Sequence, residues 1–208
     1  MLAARTFDKK SNAMNTTAFL AELDRAVRQL LTTVQTELEP LELAQLNQQP
    51  APKSWSVLEC LEHLNRYSRY YNPRFAQALV QAGTSGEVEV RYSWVGRKFI
   101  DMITPNNPKK ANTFSYMNPS GSQLGREVIT EFCAHQQQLL QLLAQACHAD
   151  LNRNAVPVEF LRLLKLRLGE AFAIQVLHEQ RHLQQALRAK AAVQTQAAPP
   201  LPLQVIAA

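Results

Sequence analysis

The 208-residue sequence lacks any apolar run that approaches the roughly 20 residues of a membrane-spanning helix. Its first residues, MLAARTFDKKSNA, also lack the apolar core of a secretory signal. Cysteine is scarce, with Cys60, Cys133 and Cys147 present in an odd number and without metal-type spacing, which argues against a disulfide framework. We therefore expect a cytoplasmic protein that has no membrane partner.

Clustered positive charge is missing as well. The 22 Lys and Arg residues exceed the 17 Asp and Glu residues, for a net charge of +5, but they are scattered and form no stripe with interleaved aromatic residues. Because electrostatic binding of nucleic acid needs clustered phosphate contacts, we expect no nucleic-acid partner. The 46% hydrophobic and 19% charged composition is that of a soluble globular protein, and the length suits one domain.

Strand-like alternation is absent, whereas helical periodicity recurs in four segments. Four long amphipathic segments predict an all-α fold, a four-helix bundle. Residues 83–121 break the periodicity between the second and third helices, and their length predicts a crossover along the bundle. We expect residues 1–15 to be a disordered lead, residues 16–191 to form the bundle, and residues 192–208, rich in Ala, Gln and Pro, to be a disordered tail.

Two predicted helix starts carry a capping box, in which a serine and a residue three positions later cap each other's backbone N–H groups. Ser56 and Glu59 form this pattern at the second helix, and Ser120 and Gln123 form it at the third. After a predicted turn at residues 152–157, apolar residues return at helical spacing and predict a fourth helix.

The fourth predicted helix carries the segment LHEQRHL, in which His178 and His182 are four residues apart. Two imidazoles at that spacing lie one turn apart on the same face and could hold one metal ion, although such a pair on a surface helix is more often solvated. The letters HEQRH also match the H-E-x-x-H motif of zinc metalloproteases, in which Glu179 would be the general base. No Asp or Glu follows Glu179 and no His or Cys follows His182, so the downstream third ligand of that class is missing.

A third ligand must therefore lie earlier in the chain. His63 borders the apolar stripe of the second helix and is the leading candidate, although a boundary histidine is often simply hydrogen-bonded to a neighbour such as Glu59. His135 occupies a position in the apolar seam of the third helix, where it could line a cavity or be satisfied by a neighbour or water. The residues alone leave these alternatives open.

Two stretches resemble helices of the DinB/YfiT-like superfamily of metalloenzymes. KSWSVLECLEHLNRYSRYYNP is similar to its second helix and GEAFAIQVLHEQRHLQQALR to its fourth, and the likeness covers about residues 17–190. The resemblance implies a four-helix bundle with a long crossover between helices 2 and 3, a metal site formed by His63, His178 and His182, and a homodimer. It assigns no role to Glu179, which helix geometry turns about 100° from His178, so we expect it to be exposed.

Known activities of the family include S-transfer from low-molecular-weight thiols and maleylpyruvate isomerisation. Three neutral imidazoles would leave a divalent ion, zinc or nickel, its full charge and at least one open position. Such an ion acidifies a coordinated thiol or water molecule. The resemblance thus implies S-transfer or hydrolysis on a small molecule held under the crossover, with Glu59 a candidate to orient His63.

The alternative is a non-catalytic, metal-binding helical bundle that acts as a sensor or an interaction module. The sequence therefore leaves open whether the protein is an enzyme.

Overall fold

A computed structural model describes residues 13–83, 89–105, 107 and 113–197. This part of the chain is mostly helical, so the expected all-α class holds broadly, but it also contains two short antiparallel strand pairs. None of its helices is long and apolar enough to cross a membrane. Most of the predicted disordered lead and tail lies outside the described residues. At the edges of those predictions, residues 13–15 form a strand and the last helix continues to Ala197.

Six α-helices are present in the described residues, and the first is extended by a π-helical turn at Val34–Leu38. The helices are α1 (Thr16–Thr33), α2 (Leu43–Asn47), α3 (Val57–Ala82), α4 (Trp94–Ile103), α5 (Glu127–Gln145) and α6 (Leu168–Ala197). The strands are β1 (Ala13–Asn15), β2 (Glu89–Arg91), β3 (Asn154–Val158) and β4 (Leu161–Arg167). β1 pairs with β2, and β3 pairs with β4.

α3 begins where its capping box predicts. The Ser56 hydroxyl accepts the N–H of Glu59 at 3.2 Å, and the Glu59 carboxylate accepts the N–H of Ser56 at 2.7 Å. Each residue thus satisfies a backbone donor that the first helical turn leaves unpaired. Despite Pro73 the helix runs without a break to Ala82, where Gly83 follows with a φ of +65°.

Among the four long helices, α1 and α3 each pack against both α5 and α6. Their buried side chains form two clusters. Phe19, Phe75 and Phe172 belong to one cluster, and Leu61 and Phe132 belong to the other. The packing of α3 on α6 positions the candidate site.

Two predicted helix segments are wrong. The third helix does not begin near Ser120, because α5 starts at Glu127 and the Ser120 hydroxyl instead accepts the indole N–H of Trp55 at 2.8 Å. The segment predicted to resume the fourth helix at residues 160–168 forms strand β4, and α6 begins only at Leu168.

The β3–β4 hairpin explains the second error. Val156 and Val158 are buried β-branched residues on β3, and β4 pairs back onto that strand. Leu163 is 96% exposed, so the leucines that suggested helical spacing do not form one core-facing stripe.

Candidate metal centre

Packing of α3 against α6 brings three histidines together. His63 comes from α3, and His178 and His182 come from adjacent turns of α6. One ligand atom from each of the three residues lies within 4.8 Å of the other two. His63 is 2% exposed, whereas His178 and His182 are partly exposed. His63 is therefore the most deeply buried of the three histidines.

Hydrogen-bond partners orient two of the imidazoles. Nδ1 of His63 lies 2.8 Å from the backbone oxygen of Met117. Because a carbonyl oxygen can only accept, Nδ1 of His63 carries the proton and Nε2 keeps its lone pair. Nδ1 of His182 lies 3.0 Å from the side-chain oxygen of Gln185, which favours the same tautomer. Such outer partners commonly fix the ring orientation of metal-binding histidines.

Burial keeps the three imidazoles neutral at physiological pH. It lowers the pKa of His63 to about 4. It also lowers the pKa of His182 to about 3, with the neighbouring His63 adding to the effect. The pKa of His178 is held well below its ordinary value by burial and then by the other two histidines. Neutral imidazoles have the free lone pairs that a metal ion requires.

The donor set fits a divalent ion. Nε2 of His63 lies 3.3 Å from Nε2 of His178. Tetrahedral coordination with zinc–nitrogen bonds of about 2.0–2.1 Å separates two ligand nitrogens by about 3.3 Å. Within the described part of the chain, no Cys, Asp or Glu joins the three histidines as a fourth protein ligand. Three protein ligands are typical of catalytic zinc sites, in which a further coordination position stays open.

Two aromatic rings pack against the cluster. The Trp55 ring lies 4.8 Å from the His63 ring and 5.6 Å from the His182 ring, measured between centroids. The Tyr67 ring lies 5.0 Å from His63 and 4.6 Å from His178. Burial raises the pKa of Tyr67 to about 12, so its hydroxyl stays protonated at neutral pH. The histidines thus have an apolar wall with one phenol group in it.

The predicted partner of His63 is wrong. The Glu59 carboxylate accepts the N–H groups of Ser56 and, at 2.5 Å, of Gly121, so it links the start of α3 to the segment that precedes α5. The Met117 carbonyl takes the orienting role instead. A backbone carbonyl has no side-chain signature, so the sequence held no signal for it. Gln185 could have been found, because it lies three residues after His182 on the same helix.

The expected exposure of Glu179 is also wrong. Its side chain is 0% exposed, and its carboxylate accepts N–H groups of Gln136 on α5 at 3.0 Å and of Gln175 at 2.8 Å. Burial raises the pKa of Glu179 to about 7. A rotation of about 100° around the helix from His178 directs the Glu179 side chain into the interior between α5 and α6, and not to solvent.

His135 lies apart from the three-histidine cluster. Its Nε2 is 3.2 Å from a carboxylate oxygen of Glu131, one turn earlier on α5. The structure therefore supports the interpretation of His135 as a histidine satisfied by a neighbour.

The chain matches a known protein family. The family model described as the DinB superfamily matches residues 22–186, a span that includes all three clustered histidines. Searches of curated proteins and of solved structures return no match.

Proposed function

Because the chain belongs to the DinB superfamily, we propose that it is a divalent-metal-dependent enzyme that activates a thiol or a water molecule for S-transfer to, or hydrolysis of, a small molecule. The single observation that supports this proposal best is the cluster of His63, His178 and His182, whose ligand atoms lie within 4.8 Å of one another. We propose zinc or nickel as the ion, since imidazole is a good ligand for both.

The ion, when bound, supplies a Lewis acid that acidifies a thiol or water molecule in its open coordination position. The protein supplies neutral imidazoles in fixed orientations. The Met117 carbonyl and the Gln185 side chain hold the Nδ1 atoms of His63 and His182, which leaves the Nε2 lone pairs available. Less reorientation of the rings is then needed when the ion binds.

Substrate would reach the site from the side of His178 and His182, which are the partly exposed members of the cluster. Trp55 and Tyr67 pack against the histidine rings and reduce the access of bulk water on their sides. Exclusion of water strengthens electrostatic interactions with a developing charge. We propose that a small electrophile binds beside the three histidines, with an apolar portion against the rings of Trp55 and Tyr67.

We further propose that α1, α3, α5 and α6 form a four-helix bundle in which the segment between α3 and α5 is the long crossover. The mutual contacts of these helices support the bundle. The contact of Met117 with His63 supports a crossover that reaches the site. We also propose a homodimer, on the family resemblance. The free cysteines Cys60, Cys133 and Cys147 support the proposal of a cytoplasmic location.

Turnover by metal-loaded protein tests the proposal. Metal-free protein would be reloaded with zinc or nickel and mixed with low-molecular-weight thiols and a panel of epoxides, aryl halides and activated esters. Thiol consumption and ester hydrolysis would be followed by absorbance. We expect metal-dependent turnover that His178→Ala abolishes and His135→Ala preserves, because His135 is paired with Glu131 outside the cluster.

Two results would count against catalysis. One is an equal rate in the wild type and in His178→Ala. The other is no turnover by the metal-loaded wild type with any pair of reactants, combined with a large fall in its unfolding temperature on chelation. The second result would favour the non-catalytic sensor or interaction module.

A further inference from the structure

The backbone oxygen that orients His63 lies in an irregular part of the chain. Met117 is the last residue of a single 3₁₀ turn, Ser115–Met117, and the residues between this turn and Glu127 have no regular secondary structure. A carbonyl in such a segment has few backbone hydrogen bonds to fix its direction. Side-chain contacts to the neighbouring residues therefore help to hold the Met117 carbonyl against Nδ1 of His63, as does the hydrogen bond from the Tyr116 hydroxyl to Glu159 at 3.0 Å.

Arg66 supplies two contacts of this kind. Its Nη1 donates to the backbone oxygen of Tyr116 at 3.2 Å and to that of Asn118 at 3.1 Å. These two carbonyls belong to the residues on either side of Met117. One guanidinium nitrogen therefore joins both neighbours of the carbonyl that meets His63, and Arg66 is only one helical turn after His63 on α3.

Arg66 is itself held in place. Its Nε donates to Oε1 of Glu62 at 3.0 Å, and the side chains of Arg66 and Glu62 are 26% and 10% exposed. The same Glu62 oxygen accepts Nη1 of Arg69 at 3.0 Å. A planar guanidinium that donates from Nε and Nη1 to separate partners has a defined orientation, which a lysine ammonium could not reproduce.

We propose that Arg66 is a positioning residue of the metal centre: it fixes the turn that carries the Met117 carbonyl, and this carbonyl holds His63 in its metal-binding orientation. The inference rests on the proposed metal site of His63, His178 and His182. Loss of an outer partner of a metal-binding histidine typically lowers metal affinity by about 10–100-fold. We expect the same range when Arg66 is removed.

The test compares Arg66→Met with Arg74→Met. Arg74 is also on α3, but it donates to the backbone oxygen of Tyr70 at 2.7 Å and lies over the Tyr70 ring, so these contacts stay within its own helix. The dissociation constant for zinc would be measured by competition with a chromophoric chelator. The visible spectrum of cobalt-loaded protein would report ligand geometry, and urea unfolding of metal-free protein would report stability.

We expect Arg66→Met to raise the zinc dissociation constant at least about 10-fold and to change the cobalt spectrum. Arg74→Met should leave both within about twofold of the wild type, whatever its effect on unfolding. If Arg66→Met does not fold, Arg66→Lys serves in its place, since it keeps the charge but not the divided hydrogen bonds; we expect the same loss of affinity.

Equal affinity and an unchanged cobalt spectrum in a folded Arg66 variant would overturn the positioning role. So would an equal loss of affinity in Arg74→Met. A wild type that binds no zinc or cobalt is a different outcome, because it would refute the proposed metal site itself.

Discussion

Replacement of the buried carboxylate Glu179 by the neutral isostere glutamine should make stability depend differently on pH. Glu179 is 0% exposed, and its carboxylate accepts hydrogen bonds from the neutral amides of Gln136 and Gln175. Its second carboxylate oxygen has no hydrogen-bond partner among the described residues. Burial raises its pKa from 4.5 to about 7. Between these values the folded protein holds a proton that the unfolded chain has released.

The sign and size of the effect follow from that difference. A carboxyl group whose pKa is raised by folding stabilises the protein below pH 4.5, and this stabilisation is lost as the pH rises through 7. Each pH unit between the two pKa values costs about 1.4 kcal/mol. The wild type should therefore lose about 2.5 kcal/mol of unfolding free energy from this group between pH 5 and pH 8.5, whereas Glu179→Gln should lose none of it.

Urea unfolding of both metal-free proteins at pH 5, 7 and 8.5 measures this difference. The new amide of Glu179→Gln meets two other amides, and that contribution is independent of pH. The advantage of the variant over the wild type should therefore grow by about 2.5 kcal/mol from pH 5 to pH 8.5. A difference that stays constant with pH would refute the reasoning, because it would mean that Glu179 titrates alike in the folded and unfolded states.

Three further changes have defined outcomes. Phe172→Ala removes a fully buried ring whose centroid is 4.4 Å from that of Phe75; it should cost about 3–5 kcal/mol in urea unfolding, and a loss under about 1 kcal/mol would contradict this. Gly96→Ala places a methyl group against the Glu170 carboxylate, which is buried and held by the N–H groups of Ser93 and Arg167. It should cost about 1–3 kcal/mol, and an unchanged unfolding temperature would contradict the contact. Burial lowers the pKa of His182 to about 3, so the folded protein does not take up the proton that the unfolded chain binds below pH 6.5. The unfolding free energy of the metal-free wild type should therefore fall by about 2–3 kcal/mol relative to that of His182→Gln between pH 6.5 and pH 4.5. A difference that does not change with pH would contradict this.

Local signals predicted some elements and misplaced others. Ser56 and Glu59 start α3 as their spacing indicates, because both side chains cap the backbone. Ser120 has the same spacing to Gln123, but its hydroxyl binds the side chains of Trp55 and Asn118 and no helix begins there. The same four-residue pattern thus has different outcomes, since other side chains compete for the capping hydroxyl.

The candidate site shows the same division. The spacing of His178 and His182 on one helix predicts their proximity. The nearness of His63 depends on how α3 packs against α6, and the family resemblance implies it. The burial of Glu179 depends on which sides of α6 other helices cover, and periodicity alone did not reveal this. The carbonyl of Met117 belongs to an irregular segment, so no pattern of residue types identifies it.

Metal content of protein purified without chelators is the most direct test of the central claim that three histidines hold one divalent ion. Elemental analysis, followed by titration of the metal-free protein, should give one zinc or nickel ion per chain in the wild type and in His135→Ala. Single replacement of His63, His178 or His182 by alanine should abolish stoichiometric binding. Binding by His63→Ala with the affinity of the wild type would contradict the three-histidine site.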